Sequence, residues 1–158
     1  MLRAWPQAYF ITFHTYGTWL HGHTDGSVDR RHHGYGAPLI KPNPALAARR
    51  RTLMTHAPLM LSSDQRSCAD TAMREVCAFR GWTINALNIR TTHVHIVVGA
   101  ATDPERVMGD LKRRATMLLR EAGLVAGDRP IRQEHGSTRW LWDDRGLHEA
   151  CHYVINGQ

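Results

Sequence analysis

The segment "THVHIVVGA", Thr92 to Ala100, admits few folds. In an extended strand, successive side chains point to opposite faces. Val94, Ile96 and Val98 then share one apolar face, and His93, His95 and Val97 share the other. The preceding run, "TINALNIRT", also reads as a strand, so the two form a hairpin turning near Arg90 to Thr92. Two imidazoles side by side on a strand this apolar either hold something or fill space and find hydrogen bonds.

The neighbouring elements limit what can cover that hairpin. "YFITFHTYGTW", Tyr9 to Trp19, is β-branched and aromatic and reads as a strand. A Gly-, Asp- and His-rich stretch over about 20–43 reads as a loop insertion. "PALAARRRTLMTHA" reads as a short basic helix with Pro44 in its first turn. A second helix starts at Ser62, where Gln65 completes a capping box, and stops at Gly81. Its expected apolar stripe is Cys68 or Ala69, Ala72, Val76 and Phe79. Asp103 is placed to cap a third helix buried through Met108, Leu111, Ala115, Leu118 and Ala122. "LVAGDRPIRQEHG" reads as a connection, "STRWLW" as a fourth strand and "DDRGLHEACHYVINGQ" as a last helix. This order predicts an α+β fold. It is a ferredoxin-like split βαβ antiparallel sheet with helices on one face, plus an added C-terminal helix. His93 and His95 would then lie on the opposite, open face.

Composition narrows the partners. A chain of 158 residues with 42% apolar content suits one domain with a core. No apolar run approaches the ~20 residues that span a bilayer, and the N-terminus reads as no secretion signal. Cys68, Cys77 and Cys151 lack CxxC spacing, which predicts buried thiols in a reducing cytoplasm. Twenty Lys plus Arg oppose fourteen Asp plus Glu, and only Lys41 and Lys112 are lysines. Arginine forks match phosphate geometry, so the balance points to a polyanion. Arg106, Arg113 and Arg120 recur along one face of the third helix, as a phosphate-tracking row or an ordinary solvated face.

Imidazole is a common metal ligand, but two do not complete a site. The last helix offers a further group. Its apolar stripe is Leu147, Cys151 and Val154; Tyr153 falls off it, beside Glu149 and Asn156. The tyrosine either offers its hydroxyl or lies along the core edge.

These residues resemble a known family. "THVHIVV" resembles the His-hydrophobic-His (HUH) motif of single-tyrosine transposases, the insertion-sequence-200-like domain, whose relatives include REP-associated tyrosine transposases. "ITFHTYGTWL" and "HGSTRWLW…CHYVINGQ" are also similar to that family, from about Tyr9 to the end apart from the His-rich loop. The motif combined with a helix tyrosine about sixty residues downstream is more specific than the triplet alone. The resemblance implies that His93 and His95 bind Mg²⁺ or Mn²⁺ and that Tyr153 is the nucleophile. The family pattern puts Gln or Asn four residues after the tyrosine; Gly157 stands there, so Asn156 is the expected third ligand, with Gln158 as its substitute.

The implied activity is that of a DNA transposase. A single strand of DNA is cut by tyrosine transesterification, leaving a 5′-phosphotyrosine that is later rejoined. Glu149, or else His148 or His152, is a candidate base. Arg30, Arg31, Arg49, Arg50, Arg51, Lys112, Arg113 and Arg114 are the expected contacts to single-stranded or hairpin DNA, with Trp5, Trp19, Tyr35 and Trp140 for stacking. His21, His23, His32 and His33 with Asp25 or Asp29 are a lesser candidate for a second metal site. A homodimer is one option, its last helix held in cis or exchanged. Two rival readings differ in kind. One is a domesticated hairpin-binding module that no longer cuts. The other is a histidine-triad nucleotide hydrolase, which the valine at position 97 disfavours.

Overall fold

A computed structural model describes residues 3–19 and 41–157. The chain forms β1 (Ala8–Thr15), α1 (Pro44–Thr52), α2 (Ser63–Arg80), β2 (Thr83–Ile89), β3 (His93–Gly99), α3 (Pro104–Glu121), β4 (Arg132–Leu141) and α4 (Asp144–Asn156). The strands make one antiparallel sheet in the order β2-β3-β1-β4. That is the split βαβ arrangement expected from the sequence, with β3 lying between β2 and β1.

Alternation in the strands gives the sheet two unlike faces. Tyr9, Ile11 and Phe13 of β1 and Val94, Ile96 and Val98 of β3 meet Ala69, Ala72, Met73 and Cys77 of α2 and Val107, Met108, Leu111 and Ala115 of α3. This is the main core. The capping box at Ser62 and Gln65 and the left-handed Gly81 set the limits of α2, as its sequence predicts. Phe79 differs from expectation. It falls at the margin of the stripe in the last turn and is 82% exposed, with Arg80 over its ring. In α3, Leu119 takes the buried place and Ala122 is the exposed C-cap. Asp103 precedes α3 but makes no side-chain cap; its carboxylate pairs with Arg3 at 2.9 Å instead.

Among the described residues, the second face carries only α4. Ala150 and Val154 bury against Ala8, Ala86, Val97 and Leu141, with Phe10, Leu147 and Cys151 around them. Asp143 caps the helix at Gly146 N, and near its far end Asn88 Nδ2 donates to Val154 O at 2.9 Å. The helix therefore crosses the sheet from the end of β4 to β2.

β4 begins at Arg132, inside the segment read as a connection. Its pairing with β1 is interrupted between Phe13 and Thr15. Lys112 of α3 spans that irregularity, its Nζ donating to the carbonyls of Gln133, Glu134 and His135 at 3.1, 3.3 and 3.2 Å. Opposite Phe13, Gly136 leaves no room for a Cβ, which would meet Thr12 O and Met108 Sδ.

Burial pushes the Lys112 ammonium down to about 8. The unfolded chain keeps that proton up to about 10.5. The folded state is thus penalised for the charge below about 8, and stability rises with pH from about 8 to 10.5. Lys112→Met, which strands three strand carbonyls, is expected to cost about 2–3 kcal/mol in urea unfolding at pH 7. It should also lose this rise, which paired denaturation curves at pH 7.5 and 10 would check.

Candidate active site

The register of the sheet lays the α4-bearing face out in rows. Arg139, Phe10, Val97 and Ala86 form one row across β4, β1, β3 and β2. Ser137, Thr12, His95 and Asn88 form the next, and His14 pairs with His93 in the one after. The apolar end of this face lies under α4. The polar end holds the histidines.

Tyr153 of α4 meets them within the same chain. Its ring centroid is 5.7 Å from that of His95 and 5.9 Å from that of Phe10, edge-on to both. His93 and His95 are 4.6 Å apart. Tyr153 is nevertheless 46% exposed, because the neighbouring Val154 takes the buried position on the stripe. The helix thus presents the phenol to solvent and to the imidazoles together. The in-cis placement follows from α4 packing on its own sheet.

Each imidazole has its Nδ1 beside a threonine hydroxyl. Thr12 Oγ1 is 2.8 Å from His95 Nδ1, and Thr92 Oγ1 is 3.0 Å from His93 Nδ1. In the tautomers whose Nδ1–H donates to threonine, each Nε2 carries the lone pair. Such partners fix the orientation and tautomer of ligating histidines. Burial, reinforced by the charges of His93 and Arg90, pushes His95 down to about 4. At neutral pH it is therefore a neutral base or ligand.

Two adjacent imidazoles suit a divalent ion that leaves positions open to other donors. Among the described residues, no group of three His, Cys, Asp or Glu side chains is placed to hold an ion. A third donor from the described residues would therefore be of another type. Asn156 is exposed at the end of α4, on the turn after Tyr153. Gln158 lies outside the described residues. Gly157, where the family pattern has an amide, has no space for a side chain. A Cβ there would lie 2.7 Å from Tyr153 Cδ2 and 2.9 Å from Tyr153 O, because the ring leans back over the glycine.

The other expected residues are dispersed. Glu149 accepts from Arg145 Nε at 2.9 Å along the exposed side of α4. His148 and His152 are exposed on the same helix. Arg49, Arg50 and Arg51 are exposed in the last turn of α1. The segment after α1 is tied to the end of β1, where Thr55 N donates to Tyr16 Oη and Leu59 N to Tyr16 O. Arg30, Arg31, Tyr35, His21, His23, His32, His33, Asp25 and Asp29 lie outside the described residues.

In α3 the expectation for Lys112 is corrected. Lys112 is buried and consumed by β4 carbonyls, so it cannot reach DNA. Arg113 pairs with Asp110 and Arg114 with Glu75, on the sheet face away from Tyr153. Arg80 also lies 3.0 Å from Asp110 Oδ2, an ion pair without hydrogen-bond alignment. Trp140 packs edge-on against Tyr9 on the core side. Trp19 does reach the site face, 4.6 Å from His14. His14, Thr12 and Thr92 were missed. Alternation along β1, which puts residues 10, 12 and 14 on one face, was the available signal for the first two.

No family model matches the chain, and no curated protein does so significantly. Solved structures share its fold. A REP-associated tyrosine transposase, in a structure bound to a REP hairpin, aligns with a TM-score of 0.56 at 14% identity, covering 99% of this chain and 70% of that one. A "putative transposase" from Deinococcus radiodurans R1 aligns with a TM-score of 0.54 at 11% identity, covering 99% and 94%. The chain thus shares the fold of these two structures.

Thr12→Val tests the threonine support without any metal. With Nδ1 unpaired, His95 is expected to change from one tautomer to a mixture at pH 7.5. Imidazole ¹⁵N chemical shifts would show this, and unchanged shifts would mean that Thr12 does not set the tautomer.

Proposed function

We propose that this protein is a transposase-type, metal-dependent single-tyrosine HUH endonuclease that cuts and rejoins single-stranded DNA. The observation that carries this reading is Tyr153 standing beside His95, which adjoins His93, on a partly open sheet face in one chain. The fold shared with a hairpin-bound tyrosine transposase supports it.

In this reading His93 and His95 would hold Mg²⁺ or Mn²⁺, with Asn156 as the chain's third donor. Mn²⁺ accepts imidazole more readily than Mg²⁺, which prefers oxygen. The ion would supply charge neutralisation at the oxygens of the scissile phosphate. The rest falls to the protein. Tyr153 Oη attacks phosphorus, the P–O3′ bond breaks, and its electron pair leaves with O3′, which takes up a proton from water. The phenolic proton passes to a base; Glu149 is one helical turn away but must first leave Arg145. The product is a Tyr153–5′-phosphate ester, and attack by another 3′-hydroxyl reverses the chemistry and releases the phenol.

One observation favours a second reading, a hairpin-binding module without cleavage. Gly157 offers no amide, and the Tyr153 ring occupies the space beside it.

A single assay separates the two. The protein is incubated with Mg²⁺ or Mn²⁺ and a hairpin DNA carrying a single-stranded flank, labelled at either end, and run on a denaturing gel. We expect a covalent adduct bearing the 3′ fragment, absent in Tyr153→Phe and reduced at least ~100-fold in His95→Ala, the scale of losing one electrostatic group at a reacting centre. Tight binding with no adduct in the wild-type protein would establish the binding module instead.

A further inference from the structure

The rows of the α4-bearing face contain a cation outside every set considered so far. Arg139 of β4 is the register partner of Phe10, whose ring lies 5.9 Å from Tyr153 and 5.5 Å from His95. Register partners project to the same face. Arg139 therefore stands on the Tyr153 side of the sheet, two residues from Leu141, which α4 covers. Arg139 itself is exposed, as is Ser137, the next side chain along β4 on this face. Together with Thr12 they floor the part of the face that α4 leaves uncovered among the described residues.

The position of Arg139 on this face, together with its pairing state, singles it out. Arg3, Arg74, Arg80, Arg113, Arg114 and Arg145 each have a carboxylate within 3.0 Å. Arg139 has no carboxylate partner among the described residues, although a guanidinium forks readily onto carboxylates or phosphates. The cations of α3 lie behind the sheet.

We propose that Arg139, with the Ser137 hydroxyl beside it, binds a backbone phosphate of the DNA strand next to the one presented to Tyr153, so that the strand runs across β1 and β4. This assignment rests on the cutting site proposed above for its location, but only on DNA binding for its test.

Affinity for a fluorescein-labelled hairpin with a single-stranded flank would be measured by anisotropy in EDTA over a salt series. Arg139→Ala is expected to weaken binding about tenfold at low salt. It should also reduce the slope of log K against log salt by about one. Arg139→Lys should recover part of the affinity. Arg113→Ala, on the far face, should stay within about twofold of wild type. Arg139 is exposed, so unchanged thermal melting of the variants guards against misfolding. Wild-type affinity in Arg139→Ala, or an equal loss in Arg113→Ala, overturns the assignment, as does a wild-type protein that does not bind. The two proposals fail separately. Arg139-dependent binding without an adduct sinks the cutting site and keeps the strand path. Adduct formation with affinity indifferent to Arg139 does the reverse.

Discussion

The seating of α4 on Val97 is the contact on which the site depends. Val154 is fully buried there, beside Ala150, Ala86, Leu141 and Ala8. Burying one such valine contributes about 1.5–3 kcal/mol, and the Asn88 bond to Val154 O fixes how far along the sheet the helix sits. Because Tyr153 adjoins Val154, that same seating holds the phenol over His95 and Phe10. The small residues at positions 8, 86 and 150 let the helix come close enough for the rings to touch.

The sheet separates stability from chemistry. Its core face is closed by α2 and α3, and even the charge of Lys112 is spent there on strand carbonyls. The arginines of α3 that pair do so with Asp110 and Glu75. Among the described residues, α4 covers only part of the other face. What remains open among them is polar and aromatic, with Thr12, Ser137, Arg139, His14 and His93, while His95 is buried beside them. A partly covered face of this kind admits an extended chain without disturbing the core.

Much of the architecture was legible because it rests on local rules. Alternation in "THVHIVVGA" assigned the faces of β3, and Ser62, Gln65 and Gly81 bounded α2 through backbone hydrogen bonds that need no tertiary partner. Misreadings arose where neighbours decide. Asp103 has a capping side chain, but Arg3 takes its carboxylate. Residues 132–136 look like a loop because an edge strand braced by Lys112 needs little apolar character of its own. Lys112 itself looks like a solvated cation in a helix rich in them. Its burial depends on an irregularity in β1–β4 pairing that helical periodicity cannot reveal.

By itself, the sequence determined the element order, the two-faced hairpin and the off-stripe tyrosine, since each follows from side-chain period and from caps within a few residues. Only the tertiary structure decided that Tyr153 meets His95 in the same chain, that Thr12 and Thr92 grip the imidazoles, and which arginines stay unpaired beside them. Those are juxtapositions across strands and between helix and sheet, set by register and by the seating of α4. No local pattern encodes the distance between residues so far apart along the chain.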